Sequence, residues 1–235
     1  TPDVKNRSLY LEYEMELAGE QDCENLAIET EICMEDRIVV RSMTEVTGER
    51  TKISLSLEQQ DGIEPWAIYL WRPEDPKLYD VTFKVWKSGQ LLDQVYSYFG
   101  MREIEIRDGN ILLNGIPLYQ KLILDQGYWE ESHLTPPTEE ALIEGIDKIH
   151  ALGYNGLRKH EKVEDERFLY WCDVKGMLVW SEAPSTYRFD DDAIEAFRRE
   201  WLSIVKQNYN HPCIIVWTPF NESWGIPQVR TDKRQ

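Results

Sequence analysis

Asn221 and Glu222 follow a largely β-branched run, Ile214-Ile215-Val216-Trp217, across the short link Thr218-Pro219-Phe220, and are bracketed by Trp217 and Trp224. A carboxylic acid, a neutral amide and flat apolar surfaces at the tip of a buried strand are the groups needed to protonate a glycosidic oxygen, hold a sugar hydroxyl and stack on a pyranose face. An Asn-Glu pair alone equally suits a capped surface turn, so its meaning depends on what else converges there. Three further strand-like runs end in polar residues: Leu124-Asp125-Gln126-Gly127-Tyr128-Trp129, Gly156-Leu157-Arg158-Lys159-His160 and Val179-Trp180-Ser181-Glu182-Ala183-Pro184. Asp125 beside Tyr128 and Trp129 makes a hydroxyl-binding edge. Arg158 is a strand-end cation of the kind that pairs with a structural carboxylate. Glu182 either touches sugar or joins a buried ion-pair network.

The elements that must position these groups follow from the rhythm of the apolar residues. From Leu9 to about Phe99 the period is two: Leu9, Leu11, Tyr13, Met15 and Leu17 alternate with polar neighbours. Ala27 to Cys33, Ile38 to Met43, Ile53 to Leu57, Val81 to Val85 and Gln94 to Tyr98 continue as short strands, which predicts an immunoglobulin-like β-sandwich over residues 1–100. The Cys-Trp-Cys core of antibody domains is missing, so the inference stops at architecture. From residue 101 to 235 strands alternate with helices. Strands are expected at Leu122 to Leu124, Tyr154 to Leu157, Met177 to Trp180 and Ile214 to Trp217. Helices are expected near Thr138 to Leu152, Asp165 to Lys175 and Asp191 to Asn208, the last with Ile194, Phe197, Trp201 and Ile204 on its buried stripe. Repeated βα units predict parallel strands with right-handed crossovers, in a doubly wound sheet or a TIM (β/α)8 barrel. No Gly-rich phosphate loop follows the first strand, which favours the barrel and leaves no cofactor implied. Only four strands precede Gln235 where a barrel needs eight, so the expectation is a partial barrel belonging to a larger enzyme.

Composition excludes several classes. With 42% apolar residues, 9 Trp and 12 Tyr the chain is neither disordered nor fibrous. Twenty-six basic residues face 43 acidic ones, a formal charge of −17, so a nucleic-acid backbone is repelled. No apolar run approaches a membrane span and no signal sequence opens the chain, so the expected setting is cytoplasmic, with a leader upstream left open. Cys23, Cys33, Cys172 and Cys213 lack CxxC spacing, which leaves a metal site without support. His133 and His150 receive no role, and His211 is read as structural.

On particular motifs the chain resembles glycoside hydrolase family 2, which includes β-galactosidases, β-glucuronidases and β-mannosidases. Trp71-Arg72-Pro73-Glu74-Asp75-Pro76-Lys77-Leu78-Tyr79 is similar to the family's W-x-P-x-x-P-x-L-Y element, whose prolines are expected to end pairing. Tyr98-Phe99-Gly100-Met101-Arg102 and Leu113-Asn114-Gly115-Ile116-Pro117 are similar to its F-G-x-R and N-G-x-P junction. Asn208-Tyr209-Asn210-His211-Pro212 ahead of the Asn-Glu strand completes the likeness. A barrel glycosidase of another family in the same clan would share the Asn-Glu feature but not the sandwich elements. The resemblance implies a retaining hydrolase of terminal β-glycosides, with β-galactosides the first expectation. Glu222 would be acid/base, and Asn221, Arg158, His160, Asp125, Trp129, Glu182, Trp217 and Trp224 would bind carbohydrate. His160 departs from the family's R-x-S-H spacing by arriving one position sooner, and Asp125 stands where better-known β-galactosidases are His-rich, so the sugar stays open. The nucleophile would be a Glu on a later strand, so the isolated chain is expected to be inactive. A non-catalytic carbohydrate-binding or scaffold protein is the alternative, and exposed strand edges leave homo-oligomerisation open.

Overall fold

Where apolar residues alternate, extended chain buries one face. A computed structural model describes residues 1–14, 25–57, 68–222, 225–228 and 231. Met15, Leu17, Cys23, Trp224 and the tail from 232 lie outside the described residues. The chain divides into two units, Thr1–Leu118 and Tyr119–Gln235. The dividing point falls past Gly100, because the hairpin that follows Gly100 clusters with the first unit.

The first unit contains β1 (Pro2–Asp3), β2 (Ser8–Glu14), β3 (Leu26–Met34), β4 (Arg37–Glu45), β5 (Arg50–Ser56), β6 (Trp71–Arg72), β7 (Asp75–Pro76), β8 (Tyr79–Lys87), β9 (Gln90–Phe99), β10 (Ile104–Arg107), β11 (Asn110–Leu113) and β12 (Ile116–Pro117). Two sheets, β1-β2-β5 and β4-β3-β8-β9, form a sandwich. Leu9 and Leu55 from the first pack with Ile32, Tyr79, Val81 and Phe99 from the second in one apolar cluster. Trp71 and Tyr79 of the Trp-Pro motif are buried, and the Tyr79 ring stacks on Phe99 with centroids 5.0 Å apart. Pro76 does not end pairing as expected: it faces Trp71 in a two-residue ladder, a position at which the missing N–H is tolerated. Asn114 (φ 54°) and Gly115 (φ 77°) turn β11 into β12, and the Asn114 side chain also accepts from Glu103 N at 2.9 Å and donates to Trp71 O at 3.0 Å.

The second unit runs β13 (Leu122–Asp125), α1 (Glu139–Ala151), β14 (Gly156–Lys159), α2 (Glu166–Lys175), β15 (Leu178–Glu182), α3 (Asp191–Asn208) and β16 (Ile214–Thr218). Its sheet has the order β13-β14-β15-β16 with every pairing parallel. Each helix starts on an oxygen-bearing cap, Thr138, Asp165 or Asp190, whose side chain accepts a first-turn N–H. Gly176, left-handed at φ 72°, stops α2. β14 starts at Gly156 and not at Tyr154, because Tyr154 N still donates to Ile149 O and closes the end of α1. On α3 the expected stripe is incomplete. Phe197, Trp201 and Ile204 are half-buried, but Ile194 is 43% exposed, one turn short of the aromatic contacts that Phe197 makes with Phe220 and Trp201 with Trp217.

Candidate active site

In a parallel sheet, paired residues point to the same face and successive residues to opposite faces. Leu124 pairs with Arg158, and Arg158 with Trp180, which pairs with Val216. Two residues on, Glu182 and Thr218 return to this face at the carboxyl ends of their strands. Asp125 pairs with Lys159, and Ser181 with Trp217, on the opposite face, where the Lys159 ammonium lies 4.2 Å from the centre of the Phe168 ring of α2.

Arg158 is the hub of the first face. Its Nε donates to Oε2 of Glu182 at 2.8 Å, Nη2 lies 2.8 Å from the same oxygen in an ion pair, and Nη2 donates to Oδ1 of Asn221 at 2.9 Å. Glu182 is fully buried, and its other oxygen accepts the Glu161 backbone N–H at 2.9 Å. Asn221 in turn donates from Nδ2 to Glu161 Oε1 at 3.2 Å, and its carbonyl accepts from the Ser185 hydroxyl. Asn221 is therefore locked in orientation by β14 and by the loop after β15, and Glu222 follows it in left-handed backbone at φ 58°, exposed to solvent. Glu161 is left-handed as well, at φ 52°. Non-glycine residues in this region are uncommon and collect at functional corners. Gly225 continues the same corner: a Cβ there would lie 2.3 Å from Thr186 O, so only glycine permits this approach of backbone to backbone.

A second network occupies the helix-facing side. Lys159, 3% exposed, is held by Asp125 Oδ2 at 2.6 Å and Glu164 Oε2 at 2.5 Å. Lys162 reaches Glu164 at 3.3 Å and the carbonyls of Gly127 and Leu134 at 3.0 and 2.8 Å. These contacts tie the 125–134 loop to the 160–164 loop. Asp125 also accepts from Gly127 N at 2.7 Å.

This geometry sorts the expected residues. Arg158, Glu182, Asn221 and Glu222 are brought to one end of the sheet. Glu182 resolves into the ion-pair network, because burial leaves it no surface for a ligand. Asp125 is turned away from this cluster, its carboxylate spent on Lys159. Trp129 lines a groove of about 250 Å3 between β13 and α1, with Tyr128, Leu142 and Ile149. Trp217 faces α3, where its ring meets Trp201 edge-on with centroids 6.0 Å apart. His160 meets Gln126 Nε2 through Nδ1 at 2.9 Å, a strand away from Asn221. Lys159 is the buried centre of the second network. Glu161, Trp180 and Ser185 went unnoticed in the sequence. Trp180 was recoverable from strand parity, since it lies on the Arg158 face and donates to Gln120 at 2.6 Å. Among the described residues no group of His, Cys, Asp and Glu is arranged to hold a metal ion, and no helix is long and apolar enough to cross a membrane.

Residues 1–102 match the family described as Glycosyl hydrolases family 2. The chain is 32% identical over 166 residues to a β-galactosidase of Klebsiella pneumoniae, a stretch covering 66% of this chain and 16% of that protein. These matches support a fragment of a glycosyl hydrolase family 2 protein. The chain is also 28% identical over 174 residues to a putative β-glucuronidase of Formosa agariphila, covering 70% of this chain and 21% of that one. It thus spans about a sixth to a fifth of the length of these curated relatives. A solved family 2 member from Bacteroides cellulosilyticus superposes with TM-score 0.68 at 26% identity, over 84% of this chain and 27% of that one. Bacteroides uniformis β-glucuronidase 3 shares the fold with TM-score 0.78 at 22% identity, over 94% of this chain and 27% of that one.

Proposed function

We propose that this chain supplies the acid/base half of a retaining β-glycosidase site and that its second unit is the first half of a (β/α)8 barrel. The observation that carries the reading is the Arg158–Asn221 hydrogen bond of 2.9 Å, which holds the residue before Glu222 at the carboxyl end of the sheet. In this reading Glu222 protonates the departing glycosidic oxygen and then, as carboxylate, takes a proton from the water that releases the sugar. Asn221 has two amide hydrogens. One goes to Glu161, and the other is assigned to a sugar hydroxyl, a contact that strengthens as positive charge develops at the anomeric carbon. Arg158 and Glu182 are positioning groups: they set the plane of the Asn221 amide. The attacking carboxylate, about 5 to 5.5 Å from the acid in retaining enzymes, is assigned to a strand outside these residues, so the isolated chain does not turn over substrate. β-Galactosides are the expected substrates.

The test is nitrophenol release from β-galactoside, β-glucuronide and β-mannoside by the complete protein that carries this chain, beside its Glu222→Gln variant. Loss of an acid/base group costs about 10² to 10⁴ in rate, less with nitrophenol, which leaves without much protonation, than with an alkyl leaving group. Activity that survives the substitution on alkyl glycosides overturns the assignment. Sugar binding without turnover of any substrate would favour the carbohydrate-binding alternative.

A further inference from the structure

Glu161 is the group at this strand end that the mechanism above leaves without a chemical task. It stands just past β14 in left-handed backbone, its backbone N–H spent on Glu182 and its Oε1 on the Asn221 amide. It is half-buried, so the carboxylate is both fixed and reachable. One amide therefore joins the Arg158 guanidinium, through Oδ1, to the Glu161 carboxylate, through Nδ2. A ligand hydroxyl held by Asn221 lies within a residue's reach of Glu161.

The charge around this point is one-sided. Glu161 and Glu182 meet here, Glu222 follows Asn221 in the chain, and the cations on β14 and the loop after it are committed among the described residues. Arg158 is bound by Glu182 and Asn221, Lys159 by Asp125 and Glu164, and Lys162 by Glu164 and two carbonyls. A neutral sugar offers hydroxyl hydrogens, which a carboxylate accepts well. A sugar acid would bring a further negative charge beside Glu161, with no uncommitted cation among these residues to offset it.

We propose that Glu161 is a specificity-determining residue: it accepts a hydroxyl of a neutral glycone and rejects glycosides whose sugar carries a carboxylate. This rests on the glycosidase reading above. It separates the two activities named among the relatives, and it does so by a carboxylate that contributes repulsion as well as a contact.

The experiment compares kcat/KM for nitrophenyl β-galactoside and nitrophenyl β-glucuronide in the complete protein, in Glu161→Gln and in Glu161→His, with thermal melts on each. The wild type is expected to favour the galactoside. In Glu161→Gln that preference shrinks by on the order of ten- to a hundredfold, the size of one like-charge contact at about 6 Å in a partly screened site, and the change falls mainly on KM for the glucuronide. Glu161→His shifts the preference the same way or further. Glu161 acting only as a structural support would lower both substrates together and leave the ratio unmoved, which overturns the proposal. A wild type that favours the glucuronide also overturns it. Hydrolysis of neither sugar, or hydrolysis indifferent to Glu222→Gln, overturns the glycosidase reading and this inference with it. A moved ratio alongside a lost Glu222 dependence cannot be produced by the Glu161 effect alone, so the two failures are read separately.

Discussion

Arg158 and Glu182 form an ion pair in which two guanidinium nitrogens share one carboxylate oxygen at 2.8 Å, with the carboxylate fully buried and the guanidinium one-third exposed. The pair links neighbouring strands on the face that carries Asn221. Its second carboxylate oxygen fixes the turn at Glu161, so a single buried charge organises both the strand end and the corner beyond it.

Removing the arginine leaves that charge without its counter-ion. Arg158→Ala is expected to destabilise the unit by about 2 to 3 kcal/mol, reduced from the value for a fully buried pair because water reaches the guanidinium. Glu182→Gln is expected to lose less, since the amide oxygen still accepts from Glu161. Equilibrium urea unfolding of the two variants and their double mutant gives the coupling directly. A coupling near zero would mean that the pair does not position the site.

Gly156 is boxed in between neighbouring strands. A Cβ there would lie 2.6 Å from Leu122 Cδ2 and 2.7 Å from Leu178 Cβ. Gly156→Ala is therefore expected to cost about 1 to 3 kcal/mol by overpacking, although alanine has the better backbone entropy. A neutral or raised melting temperature would show that the strands spread to accept it.

Burial pushes the Tyr79 phenol up to about 12 from an ordinary 10, while the Tyr69 N–H on its oxygen opposes the shift. Because the folded value lies above the unfolded one, this contribution is fully present below about pH 10 and is lost as pH rises toward 12. The loss amounts to as much as about 3 kcal/mol. Alkaline unfolding of the sandwich should shift to higher pH in Tyr79→Phe, after allowing for the unpaired Tyr69 N–H. An unchanged alkaline limb would assign the transition to other groups.

The Cys172 thiol is raised well above its ordinary range by burial, with the Asp173 carboxylate adding to the shift. Thiolate is the reactive form, so Cys172 should resist alkylation at mildly alkaline pH in the folded protein and react once urea is added. Peptide mapping after iodoacetamide decides this, and labelling of native protein would show that α2 opens.

Much of the fold was legible because burial imposes its own period on the sequence. The alternation of β3 and the capped helices α1, α2 and α3 appear close to their expected bounds. What failed was facing. Between Val179 and Trp180 the pairing of β15 with β16 slips by one residue: Val179 opposes Ile214 but Trp180 opposes Val216. Without the slip Trp217 would sit opposite Glu182 on the Arg158 face. With it, Trp217 turns to α3, and no residue type near Ile215 announces the change. Asp125 was misplaced for a related reason, because its partner is a lysine whose burial depends on Glu164, far along the chain and unmarked by any local pattern. Glu161 went unseen since its importance lies in a backbone conformation, which a glutamate does not advertise.

Asp173, buried on α2, accepts from Cys213 N at 2.8 Å with one oxygen and meets His211 Nδ1 at 2.6 Å with the other. The start of β16 is thus fastened to α2 as well as to α3, the helix that immediately precedes it, whose Asn208 carbonyl accepts from His211 N at 3.2 Å. For protein engineering, the exposed positions of α3 are then the place to vary sequence, while Phe197 and Trp201, which pack on Phe220 and Trp217, and the Asp173 anchor keep the approach to Asn221 in place.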